Sequence, residues 1–205
     1  MNTYALGPLQ ANCYVVRAER GAPEAAVVDP GGDVSSLRLE LAGMGTACAG
    51  ILVTHTDVDH IGGVADLAEG TSAEVWAPAG EADALRQGLT RTASRVRPHD
   101  PAHVVSGGDT ITVAGIDFQV VDIAGHSAGH VGFHADGCLF SGDLLFAGSV
   151  GRVELPGGDW DTLVASVRAL LDLYPPDTIV YSGHGPKTTL GDELQRNPFL
   201  AELRA

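Results

Sequence analysis

The sequence predicts an α/β protein in which a β-rich stretch followed by helix occurs twice. Three observations carry this. Short β-rich runs open each half, at residues 12–29 and again from Asp109 onward. Segments with helical spacing follow each set of strands. Hydrophobic residues make up 44% and charged residues 19% of the 205-residue chain, so a core can close and disorder is not expected. The order fits a four-layer α/β/β/α sandwich, and β/α alternation alone would equally fit a simple parallel-sheet protein. With no fixed-period repeat and no low-complexity linker, residues 1–205 read as a single domain.

In order along the chain, residues 12–17 (NCYVVR) and 25–29 (AAVVD) form a hairpin around the turn Gly21 to Pro23. Pro30-Gly31-Gly32-Asp33 is a turn, and Ser35 to Ala42 carries Leu37 and Leu41 at helical spacing. Gly50 to Thr54 is an apolar strand that runs into a His/Asp cluster, followed by a helix from Ile61 to about Glu69. Val75 to Ala77 is a strand, Glu81 to Leu89 a helix, and Arg91 to His103 has no clear period. TITVAGIDFQVVDI predicts a hairpin around Gly115, with strands continuing through His130–His134 and Cys138–Ser141. A helix from Trp160 to Leu173 stops before Pro175-Pro176, and Thr178 to Tyr181 forms a last strand.

Composition excludes some functions. Twelve basic against 26 acidic residues give a net charge of −14, with no Arg/Lys stripe, so nucleic acid and anionic membrane surfaces would be repelled. A small-molecule substrate is the expected partner. No run approaches the ~20 apolar residues of a membrane span, and the N-terminus lacks the pattern of a signal peptide, so a cytoplasmic location is expected. Cys13, Cys48 and Cys138 are an odd number, widely spaced, and read as buried free thiols.

The chemistry concentrates in Thr54-His55-Thr56-Asp57-Val58-Asp59-His60-Ile61-Gly62-Gly63. Four potential ligands crowd into a strand-to-helix loop, an expensive arrangement unless a cation or proton compensates the charge. Ala124-Gly125-His126-Ser127, Phe140-Ser141-Gly142-Asp143 and Ser182-Gly183-His184-Gly185 repeat the texture, each a ligand-type side chain in a small-residue loop beside a strand. A metal site is the economical explanation. His99, His103 and His134 read as exposed or structural, and His130 as a neighbour of the site at most.

These residues resemble the metallo-β-lactamase superfamily, whose pattern is His-x-His-x-Asp-His followed by a lone His, a lone Asp and a final His. The corresponding positions are His55, Asp57, Asp59, His60, His126, Asp143 and His184. Residues Leu9 to Tyr14, Gly148 to Arg152, Leu155 to Gly158, His184-Gly185-Pro186 and Asn197-Pro198-Phe199 resemble the single-domain glyoxalase II-like (hydroxyacylglutathione hydrolase-like) subgroup. The resemblance implies the four-layer αββα sandwich. It also implies two divalent metal ions, zinc first, with iron or manganese as alternatives. His55, residue 57 and His126 would hold one ion, Asp59, His60 and His184 the other, with Asp143 bridging.

The departure is Asp57, where the family has histidine. If Asp57 does not ligate, His55, His126 and Asp143 remain, a two-His-one-carboxylate set that suits one iron and resembles persulfide dioxygenases of the same superfamily. The leading expectation is hydrolysis of a small thioester, an S-acyl low-molecular-weight thiol, by attack of metal-bound hydroxide on the carbonyl, with Asp59 and Asp143 as catalytic carboxylates. A mononuclear iron persulfide dioxygenase and a non-catalytic metal-binding relative are the alternatives. Arg152 and Lys187 are candidate contacts for an anionic substrate.

Overall fold

In the computed structural model, which describes residues 1–204, the first half of the chain builds one six-stranded sheet. Its strands β1 (Asn2–Leu6), β2 (Ala11–Val16), β3 (Glu24–Val28), β4 (Ala47–Leu52), β5 (Glu74–Pro78) and β6 (His103–Val105) lie in that spatial order. The expected hairpin is present as β2 and β3, antiparallel, with Tyr14 opposite Val28 and Val16 opposite Ala26. From β3 onward the neighbours are parallel. A parallel strand covered on both faces reads as a near-continuous apolar run, which is why AAVV and GIL show no alternation.

Parallel pairing needs crossovers, and helices α1 (Ser35–Gly43), α2 (Val58–Ile61), α3 (Val64–Thr71) and α4 (Ala82–Gln87) supply them. Leu37 and Leu41 of α1, Leu67 of α3 and Leu85 of α4 pack with Val27, Ile51 and Val75 on the outer face of this sheet.

The second half builds the other sheet from β7 (Thr110–Val113), β8 (Ile116–Asp122), β9 (Val131–Ala135) and β10 (Cys138–Gly142). A two-stranded ribbon follows, β11 (Leu145–Phe146) with β12 (Ser149–Val150), then α5 (Trp160–Leu173), β13 (Ile179–Ser182), β14 (Thr188–Thr189) and α6 (Leu190–Arg196). The sheet order is β14-β13-β10-β9-β8-β7, with β10 and β13 parallel. α5 has the expected bounds. Asp159 caps its N-terminus by accepting from the Thr162 N–H, and Pro175 follows its C-cap Tyr174.

Leu163, Val167 and Leu170 of α5 cover Ile123, Leu139 and Val180 on the outer face of the second sheet. Between the sheets, Tyr14, Val28 and Leu52 meet Phe118, Phe133 and Phe140. Three apolar layers thus separate four structural layers, α/β/β/α, and the simple parallel-sheet alternative is excluded.

Several elements differ from expectation. The helix expected from Ile61 to about Glu69 begins at Val58 and is broken at Gly62 and Gly63 into α2 and α3. β1, β11, β12, β14, α6 and the 3₁₀ segment Pro198–Arg204 have no counterpart in the sequence reading. Of the three thiols, Cys13 and Cys48 are buried as expected, but Cys138, at the start of β10, is only half-buried. Among the described residues no helix is long and apolar enough to cross a membrane.

Candidate metal centre

The C-terminal ends of four strands meet at one rim of the sandwich, and each delivers ligand-type side chains there. His55, Asp57, Asp59 and His60 follow β4, His126 follows β8, Asp143 follows β10 and His184 follows β13. Loops after strand ends are free of ladder hydrogen bonds and can turn side chains towards a common point. All seven positions of the sequence pattern gather there: Asp57, Asp59, His126, Asp143 and His184 line a cleft of about 580 Å³ whose wall includes Leu9, Phe146, Val150 and Leu155, and His55 and His60 are fully buried against them.

Close backbone approach makes this convergence possible. A Cβ at Gly183 would stand 2.1 Å from Asp143 Oδ1 and 2.5 Å from His60 Cε1, and one at Gly31 would overlap the Asp59 carbonyl at 1.3 Å. The His184 loop is stapled to the opposite sheet. Asn12 donates through its amide nitrogen Nδ2 to the Ser182 and Gly185 carbonyls (2.9 Å each), and the Tyr14 hydroxyl donates to Ser182 O at 2.6 Å.

Hydrogen bonds fix the tautomers of three histidines. The Thr54 hydroxyl donates to Asp29 Oδ2 (2.6 Å), so it accepts from His55 Nδ1 at 3.0 Å. His60 Nδ1 donates to the same Asp29 carboxylate at 2.9 Å, and His126 Nδ1 donates to the Arg152 carbonyl at 2.8 Å. Each ring thereby turns its Nε2 to the centre, the orientation that metal-binding imidazoles require. His55 Nε2, His60 Nε2 and Asp143 Oδ1 are buried with no hydrogen-bond partner, and orphaned buried polar atoms of this kind call for an ion or water.

Three groups of ligand-type atoms result. Asp29, His55 and His60 form one, in which Asp29 is already engaged by Thr54 and His60 Nδ1. At the cleft, His55, Asp57 and His126 form a first cluster, and Asp59, His60 and His184 a second. In the second, His184 Nε2 is 3.1 Å from Asp59 Oδ2, and His60 Nε2 is 3.3 Å from Asp143 Oδ1 and 3.9 Å from Asp59 Oδ2. Two ligands held 2.0–2.1 Å from one ion at the tetrahedral angle are about 3.4 Å apart, so this cluster fits a divalent cation. Burial alone would raise the Asp143 carboxyl, but the charge of His60, 3.3 Å away, helped by His126 and His184, holds it at about 2. Asp143 reciprocally, with Asp29, holds His60 well above its ordinary range against the effect of burial.

The first cluster is occupied differently. Arg91 meets Asp57 with Nε on Oδ1 and Nη2 on Oδ2, both at 2.7 Å, while Nη1 donates to the His126 carbonyl. Nη2 also stands 2.8 Å from His126 Nε2. Burial alone would raise the Asp57 carboxyl, but the hydrogen bond and charge of Arg91, with His126, hold it well below the ordinary carboxylate range. Asp57 is therefore fully ionised and already paired, and this half does not fit a metal ion as the second does.

Sequence reasoning missed Arg91, which lies in the segment without period, and two bracing carboxylates. Asp29 accepts from the Thr54 amide as well as from Thr54 Oγ1 and His60. Glu81 accepts from the Thr56 amide (2.6 Å) and hydroxyl (2.7 Å), from Ser127 Oγ and from the Gly129 amide, tying two ligand loops together. The available signal for Arg91 was indirect: an acidic residue in place of a neutral ligand needs a counter-cation.

The remaining candidates sort clearly. His130 lies immediately before β9, outside any helix, with its ring buried 4.7 Å from that of His55. His103 stacks on Trp76 at 4.4 Å and His134 on Tyr174 at 4.1 Å, both away from the cleft. Arg152 lines the cleft with its side chain 61% exposed. Lys187 is exposed, its Nζ 5.9 Å above the Tyr181 ring, and does not line the cleft.

The metallo-beta-lactamase superfamily model matches residues 6–184 of the chain. Hydroxyacylglutathione hydrolase GloC of Haemophilus influenzae is 32% identical over 199 residues, 93% of this chain and 93% of its own. The crystal structure of BLEG-1 B3 metallo-beta-lactamase superposes with a TM-score of 0.90 at 36% identity, covering 98% of this chain and 99% of that one. The crystal structure of TTHA1623 in a di-iron-bound form gives 0.81 at 39% identity, covering 98% and 100%.

Proposed function

The chain belongs to the metallo-β-lactamase superfamily, and on that premise we propose that it is a metal-dependent hydrolase of small thioesters, S-acyl conjugates of a low-molecular-weight thiol. The observation that carries the reading is the cluster of Asp59, His184 and Asp143 on the cleft with His60 buried against them, His60 Nε2 and Asp143 Oδ1 being without a partner. These four residues would hold the ion. When bound there, a divalent ion supplies Lewis acidity, polarising a carbonyl and lowering the pKa of water towards ~7.

The chain's own residues do the rest. Asp59 Oδ2, 3.1 Å from His184 Nε2 and on the cleft floor, is placed to orient a nucleophilic water and take up its proton. Asp29 holds the His60 ring through a 2.9 Å hydrogen bond to Nδ1, so Nε2 stays directed into the centre. Leu9, Phe146, Val150 and Leu155 give the thioester an apolar wall that excludes water from the leaving sulfur. Arg152 is the cleft-lining cation that remains unengaged by the ligand cluster, and it suits a carboxylate on the thiol carrier.

The relative from Haemophilus is named for hydroxyacylglutathione hydrolysis, which makes a hydroxyacyl thioester of glutathione the first substrate to assay. Zinc is the first ion to test. The di-iron form of a relative at 39% identity keeps iron beside it. Metal-loaded protein is expected to release free thiol from the thioester, and His60→Ala to lower the rate about a hundredfold or more. Equal turnover in His60→Ala would defeat the reading. Oxygen uptake with a thiol persulfide, without thioester cleavage, would replace it by the iron dioxygenase.

A further inference from the structure

Asp57 brings a third carboxylate to a floor that already holds Asp59 and Asp143, and its side chain is only 12% exposed. Left unpaired there, it would be strongly unfavourable. Arg91, itself 11% exposed, faces it with two parallel N–H donors at 2.7 Å, the fork geometry in which guanidinium matches carboxylate. The Arg91 side chain is braced by the His126 carbonyl, and its backbone leads into a tight turn closed by Thr90 N–H to Ser94 O at 3.0 Å.

His126 has committed its Nδ1 proton to the Arg152 carbonyl, so its Nε2 has only a lone pair to offer. Arg91 Nη2 donates into that lone pair from 2.8 Å. The atoms through which Asp57 and His126 would approach a metal ion are therefore already turned on a cation. We infer that Arg91 is the resident cation of this half-site, standing where the superfamily pattern has a metal ion, and that the protein holds a single divalent ion between Asp59, His60, Asp143 and His184. The inference rests on reading the centre as a metal site.

Geometry and charge both support it. His126 Nε2 and Asp57 Oδ2 are 3.2 Å apart, with Nη2 at 2.8 and 2.7 Å from them. An ion about 2.05 Å from both atoms would lie no further than about 3.5 Å from Nη2, wherever it sat on the circle those distances allow. A guanidinium does not deprotonate to relieve such a contact. With Arg91 paired to Asp57 and Asp29 taken up by Thr54 and His60 Nδ1, Asp59 and Asp143 are the carboxylates left facing the second cluster, and one dication offsets their two charges.

The test is metal stoichiometry, read without reference to activity. Protein stripped with a chelator, reloaded with excess zinc and desalted is expected to carry about one zinc per chain by elemental analysis. In calorimetric titration, His184→Ala should lose that ion, whereas His126→Ala should keep it, with an affinity change below the tenfold or so that loss of even an outer partner brings. Arg91→Met should raise the ratio towards two. Two tightly held zinc ions in the unmodified protein would overturn the inference alone, as would loss of the ion in His126→Ala or a ratio fixed at one in Arg91→Met. No zinc at all would overturn it together with the metal-site reading. Should Arg91→Met fail to fold by circular dichroism, the His126 and His184 variants decide the matter.

Discussion

The two halves of the centre are built from the same kinds of side chain and solve opposite problems. Around Asp57 the negative charge is met from within the protein, by a guanidinium delivered from a loop 34 residues further along the chain. Around His60 no protein cation approaches, and Nε2 of His60 and Oδ1 of Asp143 end in buried positions without a partner. The first, closed half also keeps one unpartnered buried atom, His55 Nε2, but its carboxylate is met by a protein cation, whereas the second, open half keeps two such atoms and no such cation. Buried polar atoms held unsatisfied mark where a binding partner is expected.

The strongest way to break this comparison is to remove what the two halves share. Asp29 fixes His60 directly and His55 through the Thr54 hydroxyl. Asp29→Ala would leave the Thr54 amide, the Thr54 hydroxyl and His60 Nδ1 without their acceptor in a buried site. We expect a loss of about 3–5 kcal/mol of stability by denaturant unfolding, and about 10–100-fold weaker metal binding by calorimetry. Weakened metal binding with stability unchanged would mean that Asp29 orients the ligand but is not structurally required.

Arg91→Met tests the closed half alone. It strands the Asp57 carboxylate, and because the pair keeps some solvent access the expected loss is smaller, about 2–3 kcal/mol for the metal-free protein. Acid unfolding gives the sign. Arg91 holds the Asp57 carboxyl below its ordinary value, so its contribution is fully present above the unfolded value near 3.9 and disappears as pH falls through the folded one. The unmodified protein should therefore lose more stability between about pH 4 and pH 2 than Arg91→Met does. Parallel acid limbs would show that the ion pair contributes nothing to folding.

How far this was legible in the sequence follows the same division. His126, Asp143 and His184 each follow a glycine just past a strand end, and His55, Asp59 and His60 crowd into six residues after β4, where spacing announces them; the structure brings all six together at one rim. Arg91 could not be read that way, because an arginine in a segment without period is indistinguishable from a solvated one until the fold brings it to Asp57. The fold shows a similar limit. Doubly covered strands such as β4 stand out as apolar runs, and α5 carries both its cap and its terminating prolines. β1 does not stand out, because an edge strand with alternating exposure gets its stability from pairing with β2. α6 has only Leu190 and Glu193 buried, too little apolar periodicity to register.

The open half depends on contacts across the two sheets, which gives the smallest and most discriminating prediction. The Ser182 carbonyl, two residues before His184, accepts from both the Tyr14 hydroxyl (2.6 Å) and Asn12 Nδ2 (2.9 Å). Tyr14→Phe removes one donor while the carbonyl keeps the other, so about 0.5–1 kcal/mol is expected. Asn12→Ala also frees the Gly185 carbonyl on the far side of His184, so the loop loses its grip at both ends and about 1–2 kcal/mol is expected. If the loop positions His184 for an ion, metal affinity should fall more in Asn12→Ala than in Tyr14→Phe, although Tyr14 loses the shorter hydrogen bond. The reverse order in calorimetric titration would mean that the Tyr14 hydroxyl sets the loop rather than the amide staple, because Tyr14→Phe keeps the ring packed against Phe140 and Tyr181, 5.4 Å from each.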